Sequence, residues 1–169
     1  MRYLPDDTYA LVEQSVPIAC VDFVPRRWDF TGAQPEQQLG LIRRTSPFGE
    51  VWCHLGGRIG RGESIREALL RHAADTLAVK LQLPDDPQPA YVYQWFPPDD
   101  QPADAAILRF GDDPRKHAIG LSFLVEMSGE PVARNEALEF AWFPAEELPE
   151  PLWPGARTLI HELLWHHHD

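Results

Sequence analysis

The chain has 169 residues, 44% of them apolar and 11% aromatic, the size and composition of one globular domain spanning residues 1–169. No run approaches the roughly 20 apolar residues of a membrane span. The amino-terminal Met1-Arg2-Tyr3-Leu4-Pro5-Asp6-Asp7 also lacks the apolar stretch of a signal peptide, so a cytoplasmic protein without a membrane role is expected. A formal charge of −11 excludes non-specific nucleic-acid binding, and two cysteines, Cys20 and Cys53, are too few for a disulfide framework and are expected as buried thiols.

In chain order, Asp6 to Glu13 reads as a short helix, with Asp6 or Asp7 available to cap it. Ile18 to Val24 is a mostly buried strand, in which Asp22 stands out because a buried carboxylate needs a partner. Arg26 to Gln38, with Gly32 and Pro35, reads as a polar connection. Leu39 to Arg43 and Glu50 to Leu55 follow as strands, and alternation sets Trp52 and His54 on one side of the second. Ser64 to Leu77 reads as a helix: Ser64 caps it, Glu67 completes a capping box, and Ile65, Ala68, Leu69, His72, Ala73 and Thr76 recur at helical spacing. Leu83 to Ala90 is a loop, Tyr91 to Phe96 an aromatic strand, and Pro97 to Ala105 a Pro/Asp-rich excursion. His117 to Met127 and Leu138 to Phe143 are strands, and Trp153 to His167 is a closing helix. The run Trp165-His166-His167-His168-Asp169 is read as a frayed end without a metal role.

Charge is uneven along this plan. Between Arg43 and Arg71 lie six arginines against three glutamates, in a chain that is acidic as a whole. Arginine forks match phosphate geometry, and Gly56, Gly57, Gly60 and Gly62 in the same window let the backbone approach a ligand, so the window is read as an anion site. His72, Asp75 and Thr76, spaced i, i+3 and i+4, share one helix face. His54 and His117 are candidate bases, His54 equally well a hydrogen-bonded core histidine. Tyr91, Tyr93, Trp95 and Phe96 either fill the core or stack on a nucleobase.

Gly57, Glu63 and Arg71, in the spacing G-x5-E-x7-R, resemble the front half of the Nudix box, the loop–helix motif of the Nudix hydrolases. The three positions that carry metal-holding glutamates in that family read His72, Asp75 and Thr76 here. The resemblance implies an α/β (α+β) Nudix-type α/β/α sandwich, a mixed sheet between helices with the box loop–helix on one side. It also implies that Glu63 and Arg71 tie the loop to the helix. The segment Tyr9 to Phe23 and the run Asn135 to Phe143 are similar to the GDP-mannose mannosyl hydrolases, a Nudix branch that cleaves at the sugar carbon. That likeness implies substrate contacts from Asp22, Arg58 and either Arg43 or Arg44, a metal ligand at Glu136, and a homodimer. The histidine base of that branch would fall at Ala137 and is missing. The Trp52-Cys53-His54-Leu55-Gly56-Gly57 run also resembles a group of actinobacterial Nudix-like proteins, which implies no activity.

The expected function is a hydrolase of a nucleoside-diphosphate-linked substrate, of nucleotide-sugar type, with a divalent cofactor, Mg²⁺ or Mn²⁺. The alternative is a catalytically silent module that binds a nucleotide or metabolite. Glu63, Asp75 and His54 are the catalytic candidates; Asp22, Arg43, Arg44, Gly56, Gly57 and Arg58 the substrate-binding ones; His72, Asp75, Thr76, Glu136 and Glu139 the metal ligands.

Overall fold

A computed structural model describes residues 4–166. A short helix, α1 (Asp6–Ser15), precedes strand β1 (Ile18–Asp29). Then come β2 (Glu36–Ser46), β3 (Gly49–Cys53), β4 (Leu55–Arg58), helix α2 (Ile65–Leu77), β5 (Lys80–Gln82), β6 (Tyr91–Phe96), β7 (Gly111–Asp112), β8 (Ala118–Ser128), β9 (Glu139–Pro144) and helix α3 (Ala156–His166). The strands form one mixed sheet in the order β3-β2-β1-β8-β6-β7, with β4 on β1, β5 on β8 and β9 on β2. β1 runs parallel to β8 and antiparallel to β2 and β4. From Cys20 to Pro25 every residue of β1 is buried, the continuous pattern of a strand covered on both faces. Helix α2 packs on β4, β5 and β1, and α3 on β6, β8 and β7. Val21, Phe23, Leu41, Ile42, Leu69, Leu77, Leu159, Ile160 and Leu163 form the centre of the core. This is the expected mixed sheet with helices packed on it.

Several boundaries differ from expectation. The polar connection from Arg26 to Gln38 is mostly strand: Arg26 pairs with Leu39 and Asp29 with Glu36, so β1 and β2 close as a hairpin and only residues 30–35 form its loop. Polar side chains tolerate this because the end of the hairpin is solvated, Trp28 and Phe30 included. The strand expected from Glu50 to Leu55 breaks at His54, since β3 pairs with β2 while β4 crosses to β1. Trp52 and His54 therefore do not share one strand face: Trp52 meets Phe143, and His54 stacks on Trp95. Neither Asp6 nor Asp7 caps α1; Pro5 holds the cap position and both aspartates lie in the first turn, where they favour the helix dipole. The histidine-rich end, expected to be frayed, falls partly outside the described residues; of its members that are described, His166 lies 3.5 Å from Glu162 and stacks on Tyr91.

Candidate functional site

The capping box forms as the residues suggest, and Glu63 and Arg71 make the tie that the resemblance implies. Ser64 accepts from the Glu67 amide while Glu67 accepts from the Ser64 amide, so the capping box is complete. Glu63 receives the Arg71 fork at 2.6 and 2.9 Å and the Gly60 amide at 2.7 Å. Arg71 also donates to the Arg58 carbonyl at 3.1 Å. The Arg71 guanidinium and, after it, the Gly60 amide hold the Glu63 carboxyl down to about 2. With both oxygens engaged, Glu63 is a clamp on the loop, and its catalytic assignment has no free oxygen to act through. The loop lies against β1: Asp22 pairs with Gly56, and Ile59 donates to the Ala19 carbonyl. Gly56 must be glycine, because a Cβ there would sit 2.0 Å from the Val21 carbonyl oxygen at φ +137°. At Gly57 a Cβ would lie 2.7 Å from the His72 ring.

On the helix face expected to hold metal, the His72 and Thr76 side chains are taken up by internal bonds. His72 Nε2 lies 3.1 Å from the Arg58 carbonyl; since a carbonyl only accepts, Nε2 carries the proton and donates. Burial pushes the His72 pKa down, which favours the neutral ring. Thr76, 1% exposed, donates to Glu136 at 2.8 Å. Asp75 is exposed, and its carbonyl accepts from Asn135 Nδ2 at 2.7 Å. Residues 132–136 come here because α2 ends with unpaired carbonyls. The Val132 and Arg134 amides and the Asn135 side chain satisfy Leu77, Thr76 and Asp75 in turn, which carries Glu136 to Thr76. Among the described residues no three histidine, cysteine, aspartate or glutamate side chains come together to enclose a metal ion. The donors present do not fit a Mg²⁺ or Mn²⁺ centre, which wants several free oxygens on one ion. Glu139 is elsewhere: it and Glu50 clasp Arg43, at 3.0 and 2.7 Å. Arg43 and Glu139 are thereby taken out of the candidate site.

What does come together is a cleft of about 580 Å³. Of the expected residues it gathers Asp22, Arg44, His54, Gly56, Gly57, Arg58 and Glu136. It excludes Arg43, Glu63, His72, Asp75, Thr76 and Glu139 from its lining. Asp22 is 4% exposed; its Oδ2 accepts from Trp95 Nε1 at 3.0 Å and its Oδ1 lies 3.4 Å from His54 Nε2. The partner that a buried carboxylate demands is thus the Trp95 ring N–H, with the His54 ring close by, and Gly120 on β8 leaves room for it, because a Cβ there would be 2.0 Å from Asp22 Oδ2. Arg58 lies over the Tyr9 ring at 4.2 Å, and Lys116 approaches Glu13 at 3.9 Å, so α1 borders the cleft. Of the four aromatic candidates only Trp95 lines it; Tyr93 is buried and donates to the Gly155 carbonyl, and Phe96 packs on Phe110 and His117. His117 also lies outside the lining, with its pKa pushed down by burial. Cys20 and Cys53 are buried free thiols on the cleft floor, each pushed up to about 12 by burial.

Sequence reasoning missed Tyr9, Glu13, Asp113, Arg115, Lys116 and Trp153, all of which line the cleft. Arg115 forms a fork on Asp113, with Nε and Nη2 each at 2.8 Å from a carboxylate oxygen. The Arg115-Lys116 dipeptide is a visible cationic signal, but it lies 44 positions beyond the arginine-rich window, and the β1–β8 pairing brings it near.

The fold has counterparts among known structures. One from Jonesia denitrificans, described as a possible asymmetric diadenosine tetraphosphate hydrolase, is 30% identical over 91% of this chain and 96% of its own, with a TM-score of 0.74. A MutT Nudix hydrolase from Burkholderia pseudomallei is 20% identical over 88% and 99%, with a TM-score of 0.64. The Nudix domain of Shewanella oneidensis NrtR, solved with ADP-ribose, is 19% identical over 97% and 99%, with a TM-score of 0.59. No functionally curated protein matches the chain. The fold is therefore the Nudix fold. Residues 2–160 match the family described as a domain of unknown function, DUF4916, and to that family the chain belongs.

Proposed function

We propose that the cleft binds a nucleoside-diphosphate-linked small molecule of nucleotide-sugar type, as a Nudix-fold binding module whose chemistry does not pass through a metal on α2. One observation carries the reading. His72 and Thr76 on the box helix are engaged in internal bonds, while Arg44, Arg58, Arg115 and Lys116 all line one cleft together with Tyr9, Trp95 and Trp153. Arg58 follows the two glycines directly and is the anchor for the diphosphate. The ADP-ribose complex of the Shewanella oneidensis Nudix domain is consistent with this ligand class. Hydrolysis remains the second reading, favoured by the Asp22–His54 pair: a histidine beside a buried carboxylate is an acid–base group that needs no metal. A homodimer through α1 belongs to the same reading, since Leu4, Leu11 and Val16 are exposed there; light scattering that finds only monomer at high concentration removes it.

The test is calorimetric titration with nucleoside diphosphates and nucleotide sugars, using the wild type, Arg58→Ala and Arg66→Ala. Arg66 donates to the Pro84 carbonyl and does not line the cleft. Loss of a charge-assisted hydrogen bond at Arg58 should weaken binding by roughly 1.5–3 kcal/mol, against at most about 1 for Arg66. Equal effects, or no binding by the wild type, refute the reading. Turnover followed in parallel with and without divalent ions separates module from hydrolase.

A further inference from the structure

Two buried polar atoms of the cleft lining have no hydrogen-bond partner, Arg44 Nε and His54 Nδ1. Buried orphans of this kind are uncommon, because each costs the desolvation of the group, so they ask what would satisfy them. Their demands are opposite in kind. Arg44 Nε carries a hydrogen and needs an acceptor. Its guanidinium lies 5.9 Å from the centre of the Trp153 ring, and the Arg115 guanidinium lies 5.1 Å from the same ring. Arg115 has its fork filled by Asp113; the Arg44 Nε–H is unfilled. The acceptor that such a place favours is an anion. His54 is the reverse case. Its Nε2 faces the Asp22 carboxylate, which only accepts, so the ring proton belongs on Nε2 and Nδ1 presents a lone pair that needs a donor. A hydroxyl supplies one.

We infer that the ligand's non-nucleotide end is an acidic sugar: its carboxylate rests on Arg44 beside Arg115 and Trp153, and one of its hydroxyls donates to His54 Nδ1. The inference rests on the reading of the cleft as a nucleotide-sugar site. It divides the cations by task. Arg58, against Tyr9 at the glycine pair, takes the diphosphate, and Arg44, against Trp153, takes the sugar's own charge. A neutral hexose satisfies His54 and leaves Arg44 Nε unfilled, whereas a hexuronate satisfies both.

The experiment compares dissociation constants within pairs that differ only in the carboxylate: UDP-glucose against UDP-glucuronate, and GDP-mannose against GDP-mannuronate. The full chain is used as wild type, Arg44→Gln and Arg44→Lys, each checked for folding by its melting curve. In at least one base series the wild type should prefer the hexuronate by about tenfold or more. That ratio should fall to near one in Arg44→Gln and stay above one in Arg44→Lys. If Arg44→Gln does not fold, a smaller ratio in Arg44→Lys and its decline with rising salt in the wild type carry the same information. A wild-type ratio near one, with Arg58-dependent binding of the neutral sugars intact, overturns this inference and leaves the nucleotide-sugar reading standing. A ratio that persists in Arg44→Gln overturns it as well. So does a gain for UTP over UDP with no gain for the hexuronate, since the anion site would then serve a further phosphate. No binding of any nucleotide sugar removes both readings together.

Discussion

Replacing Glu63 with Gln tests whether this residue is a clamp. The wild-type carboxylate accepts three hydrogen bonds, two from Arg71 and one from Gly60. Gln retains one accepting oxygen, so its amide nitrogen must face an N–H donor on one side or the other. The carboxyl is held at about 2 against an ordinary 4.5, which sets a ceiling of about 3 kcal/mol on its contribution. The pair is not fully dry, with Glu63 13% and Arg71 23% exposed at the side chain, so solvent screening lowers the expected loss to about 2 kcal/mol. For a domain of this length that is a fall in Tm of roughly 4–8 °C. The sign with pH follows from the lowered value. Stability from Glu63 is complete above the ordinary carboxylate range and is lost as pH falls toward about 2. Urea unfolding followed by tryptophan fluorescence at pH 7 and pH 3 should show the gap between wild type and Glu63→Gln narrowing to about half. A gap under about 0.5 kcal/mol at pH 7, within the range of ordinary surface changes, or one that does not change with pH, refutes the clamp.

Gly56→Ala should cost more than about 3 kcal/mol or prevent folding, because its Cβ would strike the Val21 carbonyl; Gly129→Ala, at φ +102° in open space, should cost only about 1, and equal losses in thermal melts would contradict the contact. Thr76→Glu, the change that would restore a box carboxylate, should destabilise the fold by about 3 kcal/mol by burying a second carboxylate beside Glu136, and wild-type stability in denaturant would show that this face can open. Chelator should move the Tm by less than about 1 °C, whereas a metal-dependent fold would collapse. Both thiols, pushed up to about 12, should resist a thiol reagent in the native state and react only after unfolding; fast native labelling would place one of them at the surface.

The part of this protein that is legible in the sequence is the part built by local geometry. The capping box, the eight-residue step from Glu63 to Arg71 and the helix between them depend on spacings within one loop and one helix, and helical periodicity fixes them wherever the segment sits. The core of β1 is legible because a strand covered on both faces is a continuous apolar run, and the oddity of Asp22 in that run correctly signals a paired carboxylate. Tertiary structure decided the rest. Arg43 and Arg44 are neighbours on β2, and alternation sends one to Glu50 and Glu139 and the other to the cleft; only the pairing of β2 with β3 and β9 determines which. Thr76 looks like a degenerate ligand until the chain returns sixty residues later, caps the end of α2 and delivers Glu136 to its hydroxyl. Arg115 and Trp153 reach Arg44 because the sheet's order and the approach to α3 bring them there. Contacts between residues far apart in the chain leave no period in the sequence, so the residues that line this cleft become a set only once the sheet has closed.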